Sequence, residues 1–474
     1  MDLIGKLAEI VGAGNVLTGA DMGGYGSDWT KKYVSVPLAV VRPSCTDEVS
    51  RIMRLAHDTG TPVVPVSGNT SLAGGTYAQD ALMISVDRMN SIREIRADAK
   101  IAVVEAGVIL SKLHDACDAQ DLVFPLTLGA RGSAMIGGLL STNAGGSNVV
   151  RYGSTRGLCL GIEVVLADGR VLDMMTELHK DNSGYDLRDL FIGAEGTLGL
   201  ITGAVLKLFP KPAAYATAMV AMPDLSAALT LLNRLQIATG GGVEAFEFMP
   251  RSYIDTHLAV IEGAKPPFAQ AYDINIMVEV AAIAPRDAVP LDDGSIPVVD
   301  HLEQTLADLM EEGLVLDAIV AKSDAQRRDM WKRREDAGEV ALGRLPHVNA
   351  DISLPTDKVE AFLGRMTVAL AQVDKGATEL CCAHLGDGNV HYTAFPTSQD
   401  PDQHDAIIQK VEEIALDLGG SFSAEHGIGL NKLPSMARRK DPLALEVMRA
   451  IKGVLDPTNI LNPGKVLPTA DTTR

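Results

Sequence analysis

Three short segments of this 474-residue chain are dense in glycine: residues 68–75, 129–157 and 193–203. Glycine adopts positive φ angles without steric cost, so closely spaced glycines let several backbone N–H groups converge on one anion. The first segment directly follows residues 62–66, an apolar run that predicts a buried strand. It matches neither G-x-G-x-x-G nor G-x-x-x-x-G-K-[ST]. We expect a pyrophosphate-binding loop of another kind, with a plain surface turn as the alternative when this loop is taken by itself.

The apolar pattern before residue 212 predicts alternating helices and strands. Helical spacing covers residues 46–60 and 111–120, and apolar strands are expected at 62–66, 81–86 and 101–106. Helices and strands joined by glycine-rich connections predict an α+β ligand-binding domain.

The glycines become sparser after residue 212, so we place a domain boundary there. The predicted domains are residues 1–212, 213–420 and 421–474. The predicted elements of the second domain include a strand at 272–280, helices at 299–312 and 324–342, and a surface loop at 284–297.

The charge balance and the cysteines exclude several classes of protein. The formal net charge is −19, and such a field repels nucleic-acid phosphates and anionic lipid surfaces. No run approaches the ~18–20 apolar residues of a membrane helix, and the first residues lack signal-peptide or transit-peptide character. The 5 scattered cysteines include no C-x-x-C, which disfavours a disulfide framework or an iron–sulfur cluster. We therefore expect a cytoplasmic protein.

Histidine and glutamate residues cluster near the end of the predicted second domain. The segment His384-Leu-Gly-Asp-Gly-Asn-Val-His391 contains Asp-Gly, a strong signal for a two-residue hairpin turn. With that turn His384 lies directly opposite His391, close enough for both imidazoles to bind one ion. Glu425 then completes a set of two histidines and one carboxylate. The alternative is a hairpin with two partly buried histidines and no metal.

The three glycine segments, together with Asn462-Pro-Gly-Lys465, closely resemble the FAD-binding segments of the vanillyl-alcohol oxidase / p-cresol methylhydroxylase superfamily. The resemblance implies an α+β fold: a two-subdomain FAD-binding domain of the p-cresol methylhydroxylase type, an α+β substrate (cap) domain, and a C-terminal segment that returns to the flavin. Members that attach the flavin covalently through the first loop carry histidine about where this chain has Thr70, so it implies non-covalent FAD. The implied FAD-binding residues are Pro65, Val66, Ser67, Gly68, Asn69, Thr70, Ser71, Gly74, Gly75, Thr127, Gly129, Gly132, Ser133, Ile136, Gly137, Thr142, Asn143, Gly145, Tyr152, Glu195, Gly196, Gly199, Ile201 and Asn462.

The motif H-x-G-D-G-N-x-H followed by E-H-G resembles the FAD-dependent D-2-hydroxyacid dehydrogenases more specifically. In this family the two motif histidines and the glutamate bind a divalent metal, commonly zinc, which implies His384, His391 and Glu425 as ligands. The histidine after that glutamate acts as the base, which implies His426. The stretch Trp331-Lys-Arg-Arg334 is similar to the family's W-x-x-R element and implies that Arg334 binds the substrate carboxylate, with Arg333 as the alternative.

The substrate stays open among D-2-hydroxyglutarate, D-lactate and similar acids. Where members acting on D-2-hydroxyglutarate have a lysine, an asparagine and a threonine, this chain has Asn349, Thr393 and Gly338. Asn349 and Thr393 are therefore implied to be substrate-binding. The resemblance also implies an external electron acceptor, namely a quinone, an electron-transfer flavoprotein or a cytochrome, and is compatible with a homodimer.

Four other functions are weighed against this one. They are the FAD subunit of a glycolate oxidase or another flavin oxidase of this fold, a flavin-free metallohydrolase that uses Glu425 or His426, a non-catalytic FAD-binding subunit, and an aromatic-alcohol oxidase. The intact motif argues against a non-catalytic subunit, and an aromatic content of 4% disfavours an aromatic pocket.

Overall fold

The computed structural model describes residues 2–469, which fold as two structural units. The first unit contains the chain up to Gly145, Gly153–Pro210 and the chain from Glu425 onward. The second contains Gly146–Tyr152 and Lys211–Ala424. The chain therefore passes from the first unit to the second and back twice.

The strands and helices are listed here in chain order. The strands are β1 (Val16–Leu17), β2 (Ala39–Val41), β3 (Val63–Val66), β4 (Leu82–Ser85), β5 (Ile92–Arg96), β6 (Ile101–Glu105), β7 (Leu122–Val123), β8 (Cys159–Val165), β9 (Val171–Met174), β10 (Leu200–Lys207), β11 (Phe209–Pro210), β12 (Ala214–Met222), β13 (Val243–Pro250), β14 (Ile274–Ala282), β15 (Asp317–Val320), β16 (Val348–Ser353), β17 (Thr378–His384) and β18 (Asn389–Phe395). The α-helices are α1 (Leu3–Val11), α2 (Thr46–Thr59), α3 (Leu110–Asp118), α4 (Ile136–Thr142), α5 (Val149–Tyr152), α6 (Arg188–Phe191), α7 (Leu225–Ala238), α8 (Arg251–Val260), α9 (Pro285–Ala288), α10 (Pro297–Glu311), α11 (Asp324–Glu335), α12 (Ala337–Leu342), α13 (Val359–Val373), α14 (Pro401–Asp417), α15 (Leu433–Arg439) and α16 (Pro442–Leu455). None of the helices in the described residues is long and apolar enough to cross a membrane.

The first unit contains a small mixed sheet and a larger antiparallel sheet. The mixed sheet has the order β1-β2-β4-β3, with β4 parallel to both β2 and β3. The larger sheet has the order β5-β6-β10-β8-β9. Helix α2 packs on the mixed sheet because Val49, Ile52 and Met53 recur on one face and are buried. Gly60 ends this helix in the left-handed conformation, φ +63°.

The C-terminal segment of the first unit returns to strand β3. Leu461 forms a parallel bridge with Val63, whose N–H donates to Ile460 O at 2.7 Å. The N–H of Asn462 in turn donates to Val63 O at 2.7 Å. Residues 460–462 are thereby fixed beside the strand that leads into the first glycine loop.

The second unit is built on one antiparallel sheet of order β15-β12-β14-β13-β17-β18-β16. One face of this sheet is apolar and packs on α7, α10, α13 and α14. The opposite face carries polar side chains together with Met219, Met249 and Met277, and packs on α8, α11 and α12. Side chains alternate between the two faces along each strand, so registered neighbours on this polar face bring distant parts of the sequence together.

Two predicted elements differ from the structure. The single helix expected at 324–342 is divided into α11 and α12 at Asp336, whose carboxylate accepts hydrogen bonds from Lys332 at 2.8 Å and contacts His257 at 3.0 Å. These two contacts fix the Asp336 side chain at the break between α11 and α12. The loop expected at 284–297 contains the short helix α9, which begins at a proline.

Candidate active site

The first two glycine segments of the first unit lie against each other. A Cβ atom on Gly68 would collide with the backbone oxygen of Ser133, and one on Gly137 would lie 2.8 Å from Ala106 Cβ. Only glycine permits this close approach of the first two loops. The predicted FAD residues from Pro65 to Gly145, from Glu195 to Ile201, and Asn462 all lie in this unit.

Asn462 links these loops. Its Nδ2 donates to Gly75 O at 3.1 Å and to Glu195 O at 2.8 Å, and the residue is buried. Its Oδ1 is buried with no hydrogen-bond donor in the part of the chain that the structure describes. An acceptor in this situation is costly unless a bound group supplies a donor.

Tyr152 is the predicted FAD-binding residue that lies outside this unit. It ends α5 in the second unit, and its hydroxyl donates to Glu244 Oε1 at 2.8 Å. Arg151 binds the same carboxylate oxygen at 2.6 Å. The described contacts of the Tyr152 hydroxyl therefore fix α5 within the second unit, and its FAD contact stays a prediction.

The E-H-G motif opens the part of the first unit that follows Ala424. His426 Nε2 lies 3.7 Å from Glu425 Oε1, and both side chains are partly exposed. Just before them, the N–H of Ala424 donates to Asp351 O at 3.2 Å in the second unit's sheet. Ala424, the last residue of the second unit before Glu425, is therefore hydrogen-bonded to strand β16.

The hairpin between β17 and β18 carries the two motif histidines, but the predicted register is wrong. His384 pairs with Asn389, and His391 pairs with Cys382, so residues 385–388 form a four-residue connection. Backbone hydrogen bonds join this connection to β13 and to the residue after β16. Gly386 N donates to Phe246 O, and Gly388 O accepts from Leu354 N. These longer-range hydrogen bonds override the local two-residue turn signal.

The two imidazoles nevertheless come together. Cys382 and His384 are two residues apart on one strand, so His384 shares a face with His391. Their ring centroids are 5.3 Å apart at 79°. The prediction that the hairpin brings these rings together holds, although they are diagonal and not directly opposed neighbours.

A fully buried carboxylate, Glu247 on β13, joins His384 to Arg334. Glu247 Oε1 lies 2.9 Å from His384 Nδ1, and Oε2 accepts from Arg334 Nε at 2.7 Å. Arg334 Nη2 lies 3.2 Å from His384 Nε2. Burial raises the pKa of the Glu247 carboxyl, but His384 and Arg334 outweigh burial and hold that pKa below its ordinary value. Glu247 is therefore ionised, and it orients both partners.

Arg333 and Arg334, the two candidates for the substrate carboxylate, have different surroundings. Arg333 donates through Nη2 to Lys265 O at 3.0 Å, away from the histidine pair. Arg334 lies against His384, and Glu247 occupies its Nε side. Any substrate contact of Arg334 therefore uses its terminal Nη nitrogens.

Asp351 on β16 was not among the predicted site residues. It registers opposite His391, with Oδ1 3.8 Å from His391 Nδ1, and also accepts from Asn389 Nδ2 at 2.9 Å. The next same-face pair is Asn349 with Thr393, whose hydroxyl donates to Asn349 Oδ1 at 2.8 Å. The predicted substrate residues thus continue the row that begins with Asp351 and His391.

The donor atoms of this face suit a divalent ion such as zinc. Imidazole nitrogen and carboxylate oxygen are the ligand types that zinc accepts, and His391 and Asp351 supply one of each. A metal-binding histidine commonly gives its other ring N–H to a carboxylate, as His384 does to Glu247. Both ring nitrogens of His384 contact protein groups here, so its role as a ligand stays a prediction.

Comparison with known proteins identifies related domains and chains. Residues 37–175 match the model of an FAD binding domain, and residues 211–466 match that of the C-terminal domain of FAD linked oxidases. D-2-hydroxyglutarate dehydrogenase of Xanthomonas citri pv. viticola is 34% identical, with 95% of this chain and 94% of the relative covered. That of Stutzerimonas stutzeri is 34% identical over 98% of both chains. The mitochondrial enzyme of Bos taurus is 36% identical, with 93% of this chain and 79% of the relative covered.

Solved structures share the fold at low sequence identity. p-Cresol methylhydroxylase with substrate bound superimposes with a TM-score of 0.75 at 16% identity, covering 99% of this chain and 96% of that one. 4-Ethylphenol oxidase from Gulosibacter chungangensis gives 0.71 at 18% identity, covering 98% and 97%. The predicted fold class is confirmed.

Proposed function

Because this chain belongs to the family of FAD-linked oxidases that includes the D-2-hydroxyglutarate dehydrogenases, we propose that it oxidises a D-2-hydroxy acid to the 2-oxo acid. The observation that carries the proposal is the buried Arg334–Glu247–His384 cluster beside His391. It presents an anchored guanidinium, suited to a carboxylate, on the sheet face that carries the motif histidines. D-2-hydroxyglutarate is the first substrate to test.

FAD fits the first unit. Nothing lies within 4 Å of a Cβ built on Gly129 or Gly132, and the buried Asn462 oxygen has no donor in the described residues. The glycine loops offer backbone space and the asparagine an acceptor for such a group. When bound, FAD supplies the acceptor for the hydrogen and the electron pair that leave C2 of the substrate. We propose that it is held non-covalently, since the first loop carries Thr70 and no histidine.

Two glycines of these loops give a prediction about FAD binding and stability. In Gly68→Ala the new methyl group meets the backbone of Ser133, which cannot rotate away, so the unfolding free energy should fall by about 1–3 kcal/mol. Gly132→Ala is the matched control, because its methyl group meets nothing within 4 Å and stability should be unchanged. Urea unfolding of both variants measures this. Weaker FAD binding by stable Gly132→Ala protein would support a cofactor in that space, whereas equal stability of both variants would contradict the close loop contact.

Arg334 holds the substrate carboxylate in this proposal. Its Nε is fixed by Glu247, so the guanidinium loses little conformational freedom when its Nη nitrogens bind an anion. His384 is held by the same carboxylate and stays in one orientation. The substrate is thus oriented by groups that are already in place before it binds.

His426 accepts the hydroxyl proton in this proposal. A neutral imidazole is the side chain best suited to accept a proton near neutral pH. We propose His384, His391 and Glu425 as ligands of a divalent metal, with zinc as the first ion to test and Asp351 as a further oxygen donor. When bound, the metal supplies a Lewis acid that lowers the pKa of the 2-hydroxyl and orients it.

Asn349 and Thr393 are proposed to face the far end of the substrate. They are neutral and bonded to each other, so a second carboxylate would meet an amide and a hydroxyl in this row. D-lactate, which has only a methyl group at that end, is the leading alternative substrate. No haem or iron–sulfur motif occurs in the sequence, so we propose that electrons pass to an external quinone, electron-transfer flavoprotein or cytochrome.

The test is anaerobic bleaching of the flavin by a panel of D- and L-2-hydroxy acids, glycolate included. We expect bleaching by D-acids only, abolished by a chelator and restored by zinc. The relative rates with D-2-hydroxyglutarate and D-lactate show whether Asn349 and Thr393 accommodate a second carboxylate. Bleaching by none of the acids would refute the proposal, and bleaching insensitive to the chelator would refute the metal alone.

A further inference from the structure

Glu195 is one of the predicted FAD-binding residues, and its carboxylate accepts two backbone hydrogen bonds. Oε1 accepts the N–H of Ile428 at 2.6 Å, and Oε2 accepts the N–H of Gly429 at 2.9 Å. Both amides belong to the first unit, as Glu195 does. The carboxylate therefore binds the backbone that begins two residues after His426.

The neighbouring glycines show that this contact is built into the chain. Gly427 has φ +75°, and a Cβ there would lie 2.8 Å from Glu195 Oε1. Gly429 has φ +50°, and a Cβ there would collide with Ala73 O. Residues with side chains at these positions would be strained and would displace the segment, so both glycines serve this close packing.

The same segment is also bound to the first glycine loop. Ala73 O accepts the N–H groups of Leu430 at 2.8 Å and Asn431 at 3.0 Å. The segment 427–431 is therefore held by a carboxylate at its start and by the loop 68–75 at its end.

Glu195 itself is held in a costly conformation. Its φ is +52°, unusual for a residue other than glycine or asparagine, and its backbone oxygen accepts from Asn462 Nδ2 at 2.8 Å. Burial raises the pKa of its carboxyl, although the bonds to Ile428 and Gly429 act in the opposite direction. A partly buried carboxylate in a strained backbone persists where surrounding contacts over-determine it, which is typical of functional sites.

We propose that Glu195 is a positioning residue that fixes the backbone next to His426. The inference rests on the proposed role of His426 as the base. Two charge-assisted hydrogen bonds to consecutive amides restrict the direction in which the chain leaves His426. Without them the imidazole samples orientations from which proton transfer is slow.

The test is Glu195→Gln in the FAD-loaded enzyme, because glutamine keeps the size but offers one acceptor oxygen for two amides. Hydrogen–deuterium exchange of peptides covering residues 425–432 should speed up by about tenfold or more, the expected effect of losing a hydrogen bond to a charged group. The limiting rate of flavin reduction should fall by a similar factor, while the FAD and substrate dissociation constants change little. Unchanged exchange would overturn the proposal, and so would loss of FAD with full reduction rate in the remaining holoenzyme.

Glu163→Gln is the matched control. Glu163 lies in the same unit and accepts from Thr202 Oγ1 at 2.8 Å and from Thr46 Oγ1. It should leave exchange of 425–432 and flavin reduction unchanged. If Glu195→Gln does not fold, Gly427→Ala tests the same contact from the other side, since its methyl group pushes the carboxylate away and should also speed exchange.

The failures of the two proposals are distinguishable. If His426→Asn reduces flavin at the wild-type rate, the assignment of the base fails. Faster exchange in Glu195→Gln together with a normal reduction rate overturns the positioning role while the segment contact stands. Faster exchange, slower reduction and a kinetically silent Glu163→Gln support it.

Discussion

Replacing His426 with asparagine is expected to slow flavin reduction by about 10²–10⁴-fold, the usual contribution of a general base. Asparagine has a similar size but no nitrogen that accepts a proton near neutral pH. The protein should remain yellow, because the predicted FAD residues lie on other segments of the chain. Anaerobic stopped-flow mixing with the best D-2-hydroxy acid measures the rate directly.

His404→Asn is the matched control for this change. His404 lies on α14, and its Nε2 contacts Ser398 O at 2.9 Å, so the same substitution is made in a histidine with a backbone partner. We expect wild-type reduction rates in that variant. Wild-type rates in His426→Asn as well would remove His426 as the base and leave the substrate proposal to be tested separately.

Local patterns predicted much of the fold. The helix expected at 46–60 is α2, Thr46–Thr59, and the strand expected at 101–106 is β6, Ile101–Glu105. Both elements are predicted by local signals, namely the spacing of their apolar residues and the glycines that follow them. Dense glycine indicates close backbone approach, but the contact of Gly68 with Ser133 is seen only in the structure.

Features that depend on distant contacts could not be predicted in this way. The hairpin after His384 follows hydrogen bonds to Phe246 and Leu354, which outweigh its local Asp-Gly signal. The division of the helix at Asp336 depends on His257, 79 residues away in sequence. These partners lie far from the hairpin and from the helix in the sequence, so the local sequence does not reveal them.

The site shows the same limit. Glu247 contacts His384 across 137 residues, and no motif connects them. The available signal was an acidic residue flanked by Phe246 and Phe248, in a strand whose other charged residue is Glu244. Asp351 follows the predicted substrate residue Asn349 by two positions, and only the pairing of β16 with β18 shows that it is opposite His391.

Glu247→Leu is expected to destabilise the protein by about 3–5 kcal/mol, the usual cost of removing one partner from a buried ion pair. Leucine has a similar volume but accepts no hydrogen bond, so Arg334 is left buried without its counter-charge and His384 loses its Nδ1 partner. Flavin reduction should fall as well, because both groups lose the carboxylate that orients them. Chemical denaturation and stopped-flow reduction measure the two effects.

The double variant Glu247→Leu/Arg334→Met separates stability from activity. It removes both charges of the buried pair, and replacing such a pair with apolar side chains is often neutral or stabilising. We therefore expect most of the lost stability to return, while flavin reduction stays slow because the substrate carboxylate has lost Arg334. Recovery of both properties would show that the pair serves stability alone. A single variant as stable as the wild type would contradict the burial of Glu247, which has no exposed surface in the structure.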